Sequence, residues 1–445
     1  MTDFPFGFSL PGSGNNPGGN PGGDPGDAAQ LHQLLGHLQQ MLVSPGGGPV
    51  NWDLARQVAA GSLNAQGDPA VTPADRHAVE EAIRLADLWL EPVSVLPSGV
   101  RAAVAWNRNE WVYRTLDVWK RLCDPLAARM VGAMGDLVPP EARAQLGPVQ
   151  AMMSGLGGAM FGGQLGQALG TLATEVLSAS DIGLPLGPAG EAALLPVNIT
   201  AYGEGLELPA DEVRIFAALR EAAHQRLFEH VPWLRGHVVA AVESYAAGIR
   251  VNREAIEEAM GRFNPADPSA MEALQLTGVF TPEETPQQQA ALIRLETALA
   301  LVEGWVSHVV DTAATGRLTQ VDRLNEAFRR RRATGGPAEQ TFAALVGLDL
   351  RPRRLREAAA LWAALTEQRG VAGRDAIWGH PDLLPSADDF ADPVGFASAA
   401  TDSLDISGLE AQFAAGTRDG AAPAADTDEP TSGPRDDRDD PPGAR

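Results

Sequence analysis

Residues 211–237 read DEVRIFAALREAAHQRLFEHVPWLRGH, and the organisation of the chain follows from this stretch. Pro209 stands just before it, Asp211 and Glu212 fall where a helix N-terminus favours negative charge, and Pro232 supplies a stop. Val213, Phe216, Ala217, Leu227 and Phe228 recur at helical spacing and mark one apolar face of an amphipathic helix. Arg220, Glu221 and His224 fall on that same face, where a charged side chain is costly unless something partners it. A stripe that carries three such groups needs an explanation beyond packing.

The spacing offers one. In the HExxH helix of a metallopeptidase, two histidines one helical turn apart bind Zn²⁺ and the intervening glutamate activates the metal-bound water. Here the string is Arg220-Glu221-Ala222-Ala223-His224, so the glutamate and the second histidine are present and the first histidine is arginine. Glu-x-x-His alone arises by chance in many helices, so any specificity comes from the longer string REAAHQRLFEHVPWLRGH. That string resembles the actinobacterial zincin-like hydrolase family, often labelled zinc-dependent metalloprotease. LVEGWVSHVVD (301–311), GLDLRPRRLREAAALW (347–362) and GRDAIWGHPDLLP (373–385) are similar to further blocks of the family. The resemblance runs from about Leu85 to Phe396.

The resemblance implies zinc as cofactor, His224 and Glu303 as metal ligands, Glu221 as general base, and a peptide or protein as substrate. Arg220 stands where the remaining ligand belongs. A guanidinium cannot ligate a metal, and its permanent charge repels a dication while it can satisfy Glu221 or Glu303 through charge-assisted hydrogen bonds. Arg220 is therefore counted with Glu221 as a residue of the catalytic position, and two function classes stay open. One is a zinc hydrolase of the metallopeptidase type. The other is a non-catalytic protein that keeps the fold for binding or scaffolding.

A second long helix is expected over Gln287–Thr315, where Leu292, Leu299, Val306 and Val310 share a face with Glu296 and Glu303. A carboxylate on such a face demands a partner, either the metal that the resemblance implies or a salt bridge. His308 lies roughly 140° around that helix from Glu303, His230 is similarly rotated from His224, and His237 lies beyond Pro232, so none replaces the missing ligand. Asp311 falls nearer the Glu303 face and is a candidate to support it.

The remaining sequence sets the boundaries. Residues 1–27 are rich in Gly, Pro and Asn and are expected to be disordered; 28–48 read as a short amphipathic helix and a linker. Residues 49–400 are expected to form a mainly α, zincin-like domain with at most a small β-hairpin or edge strand before the 211–230 helix, and 401–445 an acidic disordered tail. Leu194–Leu208 is the strand candidate, with β-branched and aromatic residues around Asn198 and a turn at Gly203. Thr72 to Asp75 reads as a helix cap and first turn, and Trp106, Trp111 and Trp119 as core.

Ala144–Thr174 carries no charge but is rich in Gly, Gln and Ser, which predicts a closely packed buried helix or helical hairpin rather than a membrane span. The net charge of −23 argues against nucleic acid as a partner. A single cysteine, Cys123, excludes an intramolecular disulfide and a cysteine metal site. The start lacks a basic region followed by an apolar run, so a cytoplasmic location is the expectation. The arginines at 329–332 and 351–356 are expected to pair with internal acids, with an anionic ligand as the alternative.

Overall fold

The computed structural model describes residues 48–136, 147–248, 286–333 and 354–399. The chain divides into two compact units, Met1–Ala397 and Ser398–Arg445, and the candidate site lies within the first. The expectations for 1–27, for the helix in 28–48 and for 401–445 lie outside the described residues.

The elements in chain order are α1 (Trp52–Gln66), α2 (Pro73–Leu90), β1 (Ala102–Ala105), α3 (Arg108–Asp136), α4 (Gly147–Glu175), β2 (Glu191–Leu194) and α5 (Pro196–Leu206). They continue with α6 (Ala210–His230), α7 (Leu234–Gly248), α8 (Pro286–Ala314), α9 (Val321–Ala333), α10 (Leu355–Asp375) and α11 (Pro393–Ala399). The domain is mainly α. The two described strands form a parallel pair in which Ala102 faces Glu191 and Ala105 faces Leu194. A parallel pair needs a long crossover rather than a tight turn, so the small sheet is no hairpin.

Local chemistry accounts for the helix boundaries. At the start of α2 the Asp75 N–H donates to Thr72 Oγ1 at 3.1 Å and the Thr72 N–H to Asp75 Oδ2 at 3.0 Å, a reciprocal cap that satisfies two otherwise orphaned donors. α6 starts after Pro209 with Asp211 and Glu212 in its first turn and ends at His230, before Pro232.

The strand expected over Leu194–Leu208 is corrected: only Leu194 belongs to a strand, and Pro196–Leu206 is helical. Pro196 sits in the first turn, where its fixed φ and missing N–H suit a helix. Buried Asn198 donates from Nδ2 to the Ala173 and Val176 carbonyls, at 2.9 and 2.6 Å, at the end of α4. These contacts fix the segment as a helix against the pull of its β-branched composition, and the chain turns at Glu207, in the left-handed region at φ 53°, rather than at Gly203.

The Gly-rich segment is helical over Gly147–Glu175, and Gly162, Gly166 and Gly170 face α1 and the residue that caps it. A Cβ at Gly162 would stand 2.3 Å from the Asn51 carbonyl oxygen and one at Gly166 2.3 Å from that of Ala55, so these positions let two backbones meet. Among the described residues no helix is long and apolar enough to cross a membrane. Gly162→Ala is expected to destabilise the protein by about 1–3 kcal/mol through overpacking. Gly163→Ala, where nothing lies within 4 Å, should be neutral or slightly stabilising. Urea denaturation of the two neighbours checks the contrast.

α6 and α8 form the centre of the domain. The expected one-sided helix is corrected as well: every residue of α6 from Phe216 to Phe228 is buried, because α2, α5, α8 and β2 all pack around it. A helix covered on all sides must satisfy its polar groups internally.

Candidate functional site

α6 presents Arg220, Glu221 and His224 at the middle of the domain, and α8 crosses it with Glu303. All four are buried, at 5, 0, 1 and 1 % exposure respectively, so their charges can be balanced only by neighbours. Arg220 Nη2 donates to Glu303 Oε2 at 2.6 Å, and His224 Nε2 lies 2.9 Å from Glu303 Oε1. His224 Nδ1 is 2.9 Å from the Arg220 carbonyl one turn back. A carbonyl oxygen can only accept, so Nδ1 carries a hydrogen; the contact between Nε2 and the carboxylate then needs a second proton between them. Phe228 stacks on the His224 ring at 5.9 Å, and the Arg220 guanidinium lies over Phe328 at 5.6 Å.

Glu221 points elsewhere. Its Oε2 accepts from the Ser180 N–H at 2.9 Å and its Oε1 from Gln225 Nε2 at 2.9 Å. Complete burial raises the carboxyl above the ordinary carboxylate range, and the hydrogen bond from Gln225, the nearby His224 and the Ser180 and Ser178 contacts oppose that shift only in part. The same loop supplies Gly183 at φ 79°, where a Cβ would stand 2.6 Å from Glu303 Oε1. Both the left-handed backbone and the close approach require glycine there.

The structure thus brings Arg220, His224 and Glu303 into one cluster and sets Glu221 beside it, bound to the 178–183 loop. Among the described residues, the other histidines and Asp311 are not part of it. His230 Nε2 meets the Ser98 carbonyl at 3.1 Å, His308 Nε2 meets Thr366 Oγ1 at 2.8 Å, and Asp311 is exposed and accepts from Asn325 Nδ2. Cys123 is buried on α3, with its thiol pushed up to about 12 by burial and by Asp124. Among the described residues no group of three or more His, Cys, Asp or Glu could hold a metal ion. The arginine clusters pair partly with acids, as Arg331 with Asp181 at 2.8 Å and Arg330 with Glu326 at 2.6 Å. Arg351 and Arg353 lie outside the described residues.

Two buried networks were not anticipated from the sequence. Fully buried Arg226 on α6 donates to Asp87 Oδ1 at 2.6 Å, Glu91 Oε1 at 2.8 Å and the Leu96 carbonyl at 2.5 Å, tying α6 to the end of α2. Arg374 and Asp375 form the other, with Trp305 and Ser94. The available signal was the density of charge in REAAHQR and the Arg-Asp pair inside the otherwise apolar GRDAIWG.

His308 gives a pH prediction. Burial, reinforced by Arg374 and opposed by Asp375, pushes its imidazole down from 6.5 to about 4. The unfolded chain therefore takes up this proton first as the pH falls. Stability linked to His308 is intact above about pH 6.5 and is lost progressively towards pH 4, by at most about 3 kcal/mol. Between pH 7 and 4.5 the wild type should lose about 2 kcal/mol more unfolding free energy than His308→Gln, read from urea titrations at both pH values.

No curated protein matches this sequence significantly. A crystal structure described as a "putative hydrolase with a novel fold from Chloroflexus aurantiacus" superposes with a TM-score of 0.58 at 20 % identity, covering 80 % of this chain and 99 % of that one. At that identity the likeness speaks for the fold. A family model described as zincin-like metallopeptidase matches residues 50–397. With well over half of its length matched in this way, the chain belongs to the zincin-like metallopeptidase family.

Proposed function

We propose that this protein is a non-catalytic member of its family, in which Arg220 takes the place of the metal and the fold serves binding or scaffolding. The observation that carries the reading is the Arg220–Glu303–His224 cluster. A catalytic zinc has three protein ligands and one open position. This cluster offers one imidazole and one carboxylate, and the third position is a guanidinium 2.6 Å from the carboxylate. The residues present do not fit a catalytic zinc. The Glu303 oxygens are both engaged, one by Arg220 and one by His224, and the Glu221 oxygens are both held by Ser180 and Gln225. A general base has to reach the proton it abstracts, and this one is fully enclosed.

One observation favours the second reading, a zinc hydrolase acting on peptides with Glu221 as base and His224 and Glu303 as ligands. Arg220 lines a cavity of about 360 Å³, which gives its side chain room to leave the cluster. Assays separate the two. The purified protein, with and without added zinc, is expected to show no hydrolysis of casein or of a p-nitrophenyl ester above background. Zinc-dependent turnover that disappears in Glu221→Gln would establish the hydrolase instead.

A further inference from the structure

The cavity beside Arg220 has a chemistry that the zincin-like cluster does not use. Its wall is built from α6, α8, α9 and α10 and contains three guanidinium groups, of Arg220, Arg329 and Arg356, against one carboxylate, Asp311. Asp311 already accepts a hydrogen bond from Asn325. Arg220 is committed to Glu303. Arg329 and Arg356 differ: among the described residues neither forms an ion pair within 4 Å, Arg329 Nε donates to the Asn325 carbonyl at 3.2 Å, and the neighbouring acids Glu326 and Glu357 pair with Arg330 at 2.6 Å and Arg354 at 3.6 Å. The Arg330 hydrogen bond and charge first, then the charges of Arg329 and Arg356, hold the Glu326 carboxyl below the usual carboxylate range. His308, also in the wall, is neutral at pH 7 and adds no charge. Phe328 provides an apolar surface.

A pair of exposed guanidiniums at the rim of a concave, partly apolar cavity is out of keeping with a chain of net charge −23. Arginine forks match planar or tetrahedral oxyanions, and a cavity of about 360 Å³ is at the small end of the range for ligand sites. We propose that this cavity binds a small organic anion, with its carboxylate or phosphate held by Arg329 and Arg356 and its apolar part against Phe328. The cavity shares Arg220 with the His224–Glu303 cluster, but the two arginines that would hold the anion stand on α9 and α10 and, among the described residues, have no contact with that pair.

Calorimetric titration of the full chain with phenyl phosphate, 3-phenylpropanoate and the neutral 3-phenylpropanamide tests it. At least one of the anions should bind with a dissociation constant at or below about 1 mM, weakening as salt is raised, and the amide should bind at least about tenfold more weakly. Preference for phenyl phosphate would identify a phosphate ligand, and preference for phenylpropanoate a carboxylate. The double variant Arg329→Ala/Arg356→Ala should weaken anion binding at least about tenfold, while Arg84→Ala on the exposed face of α2 should leave it unchanged. Both rim arginines are exposed, so the variant should fold. No binding by either anion, equal binding of the amide, or anion affinity unaffected by the double variant or by salt would overturn the proposal.

Discussion

Arg220→Ala is expected to destabilise the protein by about 3–5 kcal/mol, the typical cost of removing one partner from a buried charged network. The loss comes from the groups left behind. Glu303 is 1 % exposed, and without the guanidinium its Oε2 loses a 2.6 Å charge-assisted contact at a buried position. His224 can offer its Nε2 to only one of the two oxygens. Arg220→Lys should recover part of the loss, because an ammonium restores the charge without the fork that also lies over Phe328. Urea denaturation gives the comparison, and a loss below about 1 kcal/mol for Arg220→Ala would place the cluster among ornamental ion pairs.

An effect of similar size is expected at Asp375, far from that cluster in sequence and with no part in the zincin-like pattern. Its Oδ1 accepts from Trp305 Nε1 at 2.8 Å and Arg374 Nε at 2.7 Å, and its Oδ2 from Ser94 Oγ at 2.9 Å and the Val95 N–H at 2.8 Å. One carboxylate thereby joins the end of α10, the middle of α8 and the chain after α2. Asp375→Ala would leave buried Arg374 without its anion and the Trp305 N–H without an acceptor, at a cost of about 3–5 kcal/mol. Asp375→Asn keeps an acceptor and loses the charge, and should cost roughly half as much. If both variants unfold with the wild-type midpoint, the network has no weight in the fold.

These two sites show what the sequence displayed and what it hid. Periodicity placed the α6 and α8 boundaries to within a residue or so; Pro209, an acidic first turn and Pro232 bracket α6, and Pro286 opens α8. It brought His224 and Arg220 onto one helix face by spacing alone, whereas Glu303 joined them through a family resemblance that spans many residues. Composition misled at 196–206, where the deciding contacts come from Asn198 reaching the end of α4. It misled again over α6, where it predicts one buried face only; Arg226, off the apolar stripe, is buried against Asp87 of α2. The partners of Asp375 could not be read, because Ser94 and Trp305 lie 281 and 70 residues away. Helical period is a local property of a sequence, and a buried charge network is not.

The question of whether Arg220 replaces a metal is decided by zinc content. Wild type and Arg220→His, each equilibrated with zinc and then dialysed, would be compared by elemental analysis and by melting temperature. The wild type should hold no stoichiometric zinc and melt at the same temperature with or without it. Arg220→His, with two imidazoles and the Glu303 carboxylate converging, should take up stoichiometric zinc and be stabilised by it through binding to the folded state alone. Stoichiometric zinc in the wild type that is lost on His224→Ala would contradict the reading, and would mean that Arg220 leaves the cluster when metal is present.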